Sequence, residues 1–155
     1  IQVTLIDLII EGYPSFFMSF EPNGKKVTGR FLPTVMRRAL PNAVSILVCF
    51  LLWLGLAQVV PIPEAQASTL FYLLVGTVGV QAVFKASWPL NKLRTFLCVT
   101  MTVGFYGAVI LFHTFLQVAL PTGMTLLLFA GFALLSLGIE RGVAALIRRR
   151  DRRAA

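Results

Sequence analysis

Four stretches of the chain, 42–60, 68–86, 95–120 and 122–147, are long and almost purely apolar. About 20 such residues suffice to carry a helix across a hydrocarbon layer roughly 30 Å thick. A fifth stretch, 2–20, has the same character but is interrupted by Asp7, Glu11 and Pro14. No alternation of strand type competes with these runs, and proline and glycine mark the breaks between them. Composition agrees: 57% of the 155 residues are apolar and only 13% are charged. A soluble domain of this size buries only about 70% of its surface and is about a quarter charged. A soluble enzyme, a disordered tail and a nucleic-acid-binding domain therefore do not fit. The expected fold is all-α, a polytopic membrane helix bundle of five transmembrane helices. Cys49 and Cys98 both lie in apolar runs without metal-ligand spacing.

The charges set an orientation. Lys25, Lys26, Arg30, Arg37 and Arg38 follow the first span. Lys85, Lys92 and Arg94 lie between the third and fourth, and Arg141, Arg148, Arg149, Arg150, Arg152 and Arg153 end the chain. These are all 14 basic residues, and they occupy alternate connections. The other two connections carry only Glu64. The positive-inside rule then puts the N-terminus outside and the C-terminus in the cytoplasm. The expected divisions are a first transmembrane helix at 1–20, a basic cytoplasmic loop at 21–41, a four-helix bundle at 42–147 and a basic tail at 148–155. Within the loop, apolar and basic residues on opposite sides of 30–40 predict a short helix lying along the interface. The net charge of +8 has neither aromatic interleaving nor a reader motif, so its expected partner is the anionic headgroup layer, not nucleic acid.

Chemistry concentrates at Asp7 and Glu11. Four residues apart, they share one helix face with Cβ atoms about 5–6 Å apart. A charged carboxylate at mid-membrane costs about 2.5–3.5 kcal/mol even on the mild insertion scale. Two on one face need compensation, and no basic residue lies at comparable depth in a neighbouring span. Bound cations or protons remain. Gly12 and Pro14 follow at once, and a proline removes a backbone donor and crowds the carbonyl four residues back. The loosened helix would offer carbonyl oxygens to a hard cation such as calcium, which takes six to eight oxygens.

The run Leu5-Ile6-Asp7-Leu8-Ile9-Ile10-Glu11-Gly12-Tyr13-Pro14, followed by Phe20-Glu21-Pro22-Asn23, resembles the sixth transmembrane helix and following cytoplasmic loop of P-type cation-transporting ATPases. With Pro14-Ser15-Phe16-Phe17-Met18-Ser19 between them, the match is nearest to the bacterial calcium-pump-like branch. The motif-level likeness covers roughly 1–45. The rest agrees in span count and orientation with the seventh to tenth helices. The resemblance implies that Asp7 and Glu11 are ligands of a transported divalent cation, calcium first, with magnesium and manganese as alternatives. It also implies that the 21–41 loop touches the phosphorylation domain. The family's threonine position is Ile10, and the span 68–86 has no carboxylate, with Gln81 its strongly polar interior residue. One transported ion is therefore expected. The family's Asp-Lys-Thr-Gly and Gly-Asp-Gly-x-Asn-Asp motifs are absent from this stretch. ATP and its magnesium would be bound, and hydrolysed, by cytoplasmic catalytic domains elsewhere in the parent chain. The expected partners are those domains and upstream transmembrane helices of the same pump, in the cell membrane. Because the sequence starts at Ile1, it reads as part of something longer. The rival reading is a free-standing small membrane carrier subunit or scaffold, with Asp7 and Glu11 as a proton relay or docking contact.

Among weaker signals, His113 reads as interfacial. Gly104 with Ala108 and Gly138 with Gly142 have the spacing of close helix contacts, and Glu140 with Arg141 reads as a local pair.

Overall fold

The computed structural model describes residues 2–21 and 31–154. Among these residues the chain is helical, with no strand. A broken first helix runs through α1 (Gln2–Ile6), a π-helical turn (Asp7–Gly12) and α2 (Tyr13–Ser19). Four unbroken helices follow: α3 (Phe31–Ala57), α4 (Glu64–Ala86), α5 (Lys92–Leu111) and α6 (Gly123–Ala154). At 1.5 Å per residue the shortest of these four is about 30 Å long. Four helical stretches are long and apolar enough to cross a membrane: Thr34–Ala57, Glu64–Ala86, Lys92–Leu111 and Gly123–Arg150. Of the five spans expected, four thus meet the criterion outright; the first helix is shorter and interrupted.

Three boundaries differ from expectation. The helix expected to lie separately along the interface is, from Phe31 on, the beginning of α3, which continues through Pro41 into the span. An internal proline costs a helix roughly 3 kcal/mol; here Pro41 is buried, and packing holds the helix together across it. The fourth apolar run, expected to reach 120, leaves the helix at Leu111 and closes in turns, with Gln117 at φ 53°. The basic tail is an extension of α6. Residues 22–30 of the basic loop, with Lys25, Lys26 and Arg30, lie outside the described residues.

Local chemistry accounts for the ends. Pro61 and Pro63 separate α3 from α4, which opens with Glu64 and carries Lys85 in its last turn, both favourable to the helix dipole. Asn91 caps α5 by accepting the Arg94 N–H at 2.8 Å. Thr69, Thr77, Ser87 and Thr102 each donate to the carbonyl four residues back, which satisfies the hydroxyl without water.

α4 is the central helix. One apolar cluster joins it to the first helix and α5 through Ile10, Leu73, Val80, Met101 and Phe105. A second joins it to α3 and α6 through Cys49, Trp53, Leu70, Leu74 and Phe132. Glycines set the spacing: the Phe105 ring lies against the backbone at Gly76, and Ile10 against Gly79. The outward faces carry Leu51, Val103 and Leu127. The accessible surface of 10679 Å² exceeds the roughly 7,800 Å² of a compact soluble protein of 17.1 kDa. These apolar faces suit lipid or further helices, not water.

The two ends of the bundle differ. At one end, Gln66 bonds Leu120, Thr122 and Thr125, and Thr69 accepts from the Ala119 N–H. At the other lie Glu21, Lys85, Asn91, Arg94 and Glu140.

Candidate functional site

The first helix changes register at the acid pair. The Tyr13 N–H bonds to the Leu8 carbonyl, five residues back instead of four. Pro14 has no N–H to offer. The Ile9 carbonyl thereby loses its donors at both spacings, since Tyr13 is engaged one residue further back. The wide turn also brings the Asp7 carbonyl against position 12, where an added Cβ would stand 3.2 Å from it. Glycine is the residue that leaves this approach open. π-helical turns of this kind are rare and gather at functional sites.

Packing fixes which side the carboxylates occupy. Ile10 and Pro14 are buried, with Ile10 against Gly79 of α4, and Ile9 approaches Gly104 of α5. Asp7 and Glu11 are both exposed. Among the described residues neither makes a hydrogen bond or ion pair, and no three His, Cys, Asp or Glu side chains come together. Two carboxylates supply at most four oxygens, so a hard cation held here would draw further oxygens from water, from carbonyls such as Ile9, or from helices beyond this chain. An open groove of about 700 Å³ lies beside the same helix. It runs between the first helix and α5 and is lined by Leu8, Ile9, Gly12, Tyr13, Phe16, Phe17, Thr100, Met101 and Gly104, so it is apolar and excludes both acids.

Two polar ties hold the first helix to α5. The Tyr13 hydroxyl lies 2.9 Å from Thr100 Oγ1. The Thr100 hydrogen already faces the Phe96 carbonyl at 2.8 Å, so Tyr13 is the donor. At the helix end, Glu21 accepts from Arg94 Nε at 2.8 Å and from Asn91 Nδ2 at 2.6 Å.

Two polar features are not apparent from the sequence. Glu140, expected to pair locally with Arg141, instead faces Lys85 of α4 in an ion pair across helices. In the sequence Glu21 belongs to a motif and Arg94 to the orienting charges. In both pairs the partners lie more than fifty positions apart, and the shared signal was opposite charge at the same end of neighbouring spans. The close contacts expected at Gly138 and Gly142 are not made within this chain, where an added Cβ would meet nothing within 4 Å. Gly104, by contrast, does meet a neighbour, Ile9. His113 sits in the turns beyond α5, its Nδ1 3.3 Å from Thr114 Oγ1.

No family model and no solved structure matches the chain. Among curated proteins it is similar to "Probable cation-transporting ATPase exp7" of Streptococcus pneumoniae serotype 4. The two are 40% identical over 107 residues, which is 68% of this chain but 14% of the relative. The chain therefore spans about one seventh of the length of the protein it resembles.

Proposed function

We propose that this chain is a membrane part of an ATP-driven cation pump of the P-type, a multi-pass segment working with catalytic domains and helices encoded elsewhere in the same polypeptide. The 40% identity to a protein named as a cation-transporting ATPase carries the reading. The geometry of the first helix is consistent with it: Asp7 and Glu11 stand exposed on a π-helical turn, on the side that α4 and α5 leave uncovered.

In this reading Asp7 and Glu11 contribute carboxylate oxygens to the transported cation, and Gly12 and Pro14 keep the turn wide. The cargo favoured is calcium, with magnesium and manganese the competitors. The 21–41 segment, which includes the start of α3, carries the movement of the catalytic domains to the helices. The anionic headgroup layer faces the basic end. This chain contributes no residue to ATP hydrolysis; it binds and orients the cargo.

The test is uptake of calcium, magnesium and manganese into vesicles by the full-length protein. Glu11→Gln and Asp7→Asn are each expected to reduce uptake of one ion about tenfold or more, the loss of a charged ligand being worth over ~1.4 kcal/mol. Unchanged uptake of all three would remove these residues from the site. The coding DNA upstream of Ile1 provides a separate check: an open frame encoding Asp-Lys-Thr-Gly is expected. A start codon directly before Ile1 would overturn the pump and leave the free-standing carrier or scaffold.

A further inference from the structure

The exit of the first helix is held by a built network. Glu21 presents one carboxylate oxygen to Arg94 Nε at 2.8 Å and the other to Asn91 Nδ2 at 2.6 Å. Asn91 uses its other amide atom, Oδ1, to accept the Arg94 N–H at 2.8 Å and cap α5. Arg94 Nη1 reaches back to the Ser87 and Pro89 carbonyls at 3.3 and 3.4 Å. The side chains of Arg94 and Glu21 are only 24% and 22% exposed. Beneath them Ser87 is fully buried, donating to the Val83 carbonyl and accepting from the Cys98 thiol. A freely solvated surface pair contributes about 0–1 kcal/mol. This one is a single charge-assisted bond, Arg94 Nε to Glu21 Oε2, but it is shielded and tied to a helix cap and two carbonyls.

We infer that Arg94 and Asn91 are positioning residues for the first helix, locking its Glu21 end to the α4–α5 connection so that α2 moves with α5. Tyr13–Thr100 makes the second point of attachment. Between Tyr13 and Glu21 the helix is therefore fixed against α5 at both ends. The π-helical turn at Asp7–Gly12 lies just beyond the upper attachment. It is the place where a displacement of α1 relative to α2 is absorbed, and it carries both acids. The depth and rotation of Asp7 and Glu11 are thus set from Arg94, a residue that touches neither. The effect on cargo rests on the pump reading; the mechanical tie does not.

Both parts are tested in the full-length protein. Spin labels at Phe20→Cys and Leu93→Cys, both exposed positions, report the tie, because native Cys49 and Cys98 are buried. A narrow distance distribution is expected, broadening in Arg94→Ala and in Glu21→Ala. In transport, Arg94→Ala is expected to raise the half-saturating cation concentration about tenfold, the scale of a charge-assisted bond, with the maximal rate within about twofold. The Glu21→Ala/Arg94→Ala double variant is expected to be no worse than Arg94→Ala alone, as for two groups acting through one interaction. Arg94→Lys, which keeps the charge, should recover most of the affinity and covers the case in which Arg94→Ala does not insert. Unbroadened distances, or additive effects in the double variant, would overturn the inference. A parent that moves none of the three cations would overturn the pump reading instead, with the label distances still deciding the tie.

Discussion

Glu140 is buried to all but 3% of its side chain, whereas its partner Lys85 is 53% exposed. The two residues are therefore not equivalent. Removing the cation strands a carboxylate among packed helices, and breaking a buried pair from one side costs about 3–5 kcal/mol. Removing the anion leaves an ammonium that can extend along its own alkyl stem to the headgroup layer. Lys85→Met is thus expected to destabilise the protein by about 3 kcal/mol, and Glu140→Gln by no more than about 1 kcal/mol. Thermal unfolding in detergent micelles measures the difference; equal losses would mean that Glu140 is as well solvated as Lys85. The asymmetry was invisible in the sequence, where Arg141 was the nearer candidate. Adjacent helical residues face different directions, and only the packing of α4 on α6 shows which cation Glu140 meets. Asp7 and Glu11 stand out in the sequence because a charged side chain within an apolar run is costly. Their exposed side does not, since it depends on where Ile10 and Pro14 find their neighbours.

Among the elements, glycine decides how closely the helices approach. At Gly76 the Phe105 ring occupies the space a methyl would need, and Phe105 is fully buried. Gly76→Ala is expected to destabilise by about 1–3 kcal/mol, the range for an overpacked core. Gly138→Ala, at a position open within 4 Å, should be neutral or slightly stabilising in this chain, since alanine is the better helix former. The same unfolding measurement compares them, and a neutral Gly76→Ala would show that the ring can turn aside. Spacing alone pointed to Gly138 and Gly142 and passed over Gly76. The small-xxx-small pattern says that close approach is permitted, not that a partner is present. Similarly, the Gly-x-Pro run signalled a disturbed first helix, but its π register follows from a bond between Tyr13 and Leu8 that no local pattern specifies. At Pro41 the opposite holds. A proline and an amphipathic run suggested two elements, and packing made them one.

At the scale of the molecule, the described basic side chains gather at one end. Arg37 and Arg38 stand near the start of α3, Lys85 at the end of α4, Lys92 and Arg94 at the start of α5, and Arg148, Arg149 and Arg150 towards the end of α6. Glu64, at the start of α4, and His113, beyond the end of α5, belong to the opposite end. Helix number and charge segregation were legible in the sequence because both are summed over many residues and tolerate local error. The positive-inside rule predicts that the basic end faces the cytoplasm, and labelling tests that prediction. Glu64 and Lys92 are both exposed, so single cysteines there should react with a membrane-impermeant maleimide from opposite sides. With Cys49 and Cys98 buried in the core, the background signal should be low. In intact cells Glu64→Cys is expected to label, and Lys92→Cys only after permeabilisation. The reverse pattern would put the basic end outside, with the Glu21–Arg94 tie facing away from any ATP-driven domain, and the proposed pump could not operate. Labelling of both from the same side would mean that α4 does not cross the membrane. Because α4 joins both apolar clusters, the bundle as a whole would then have to lie differently in the bilayer.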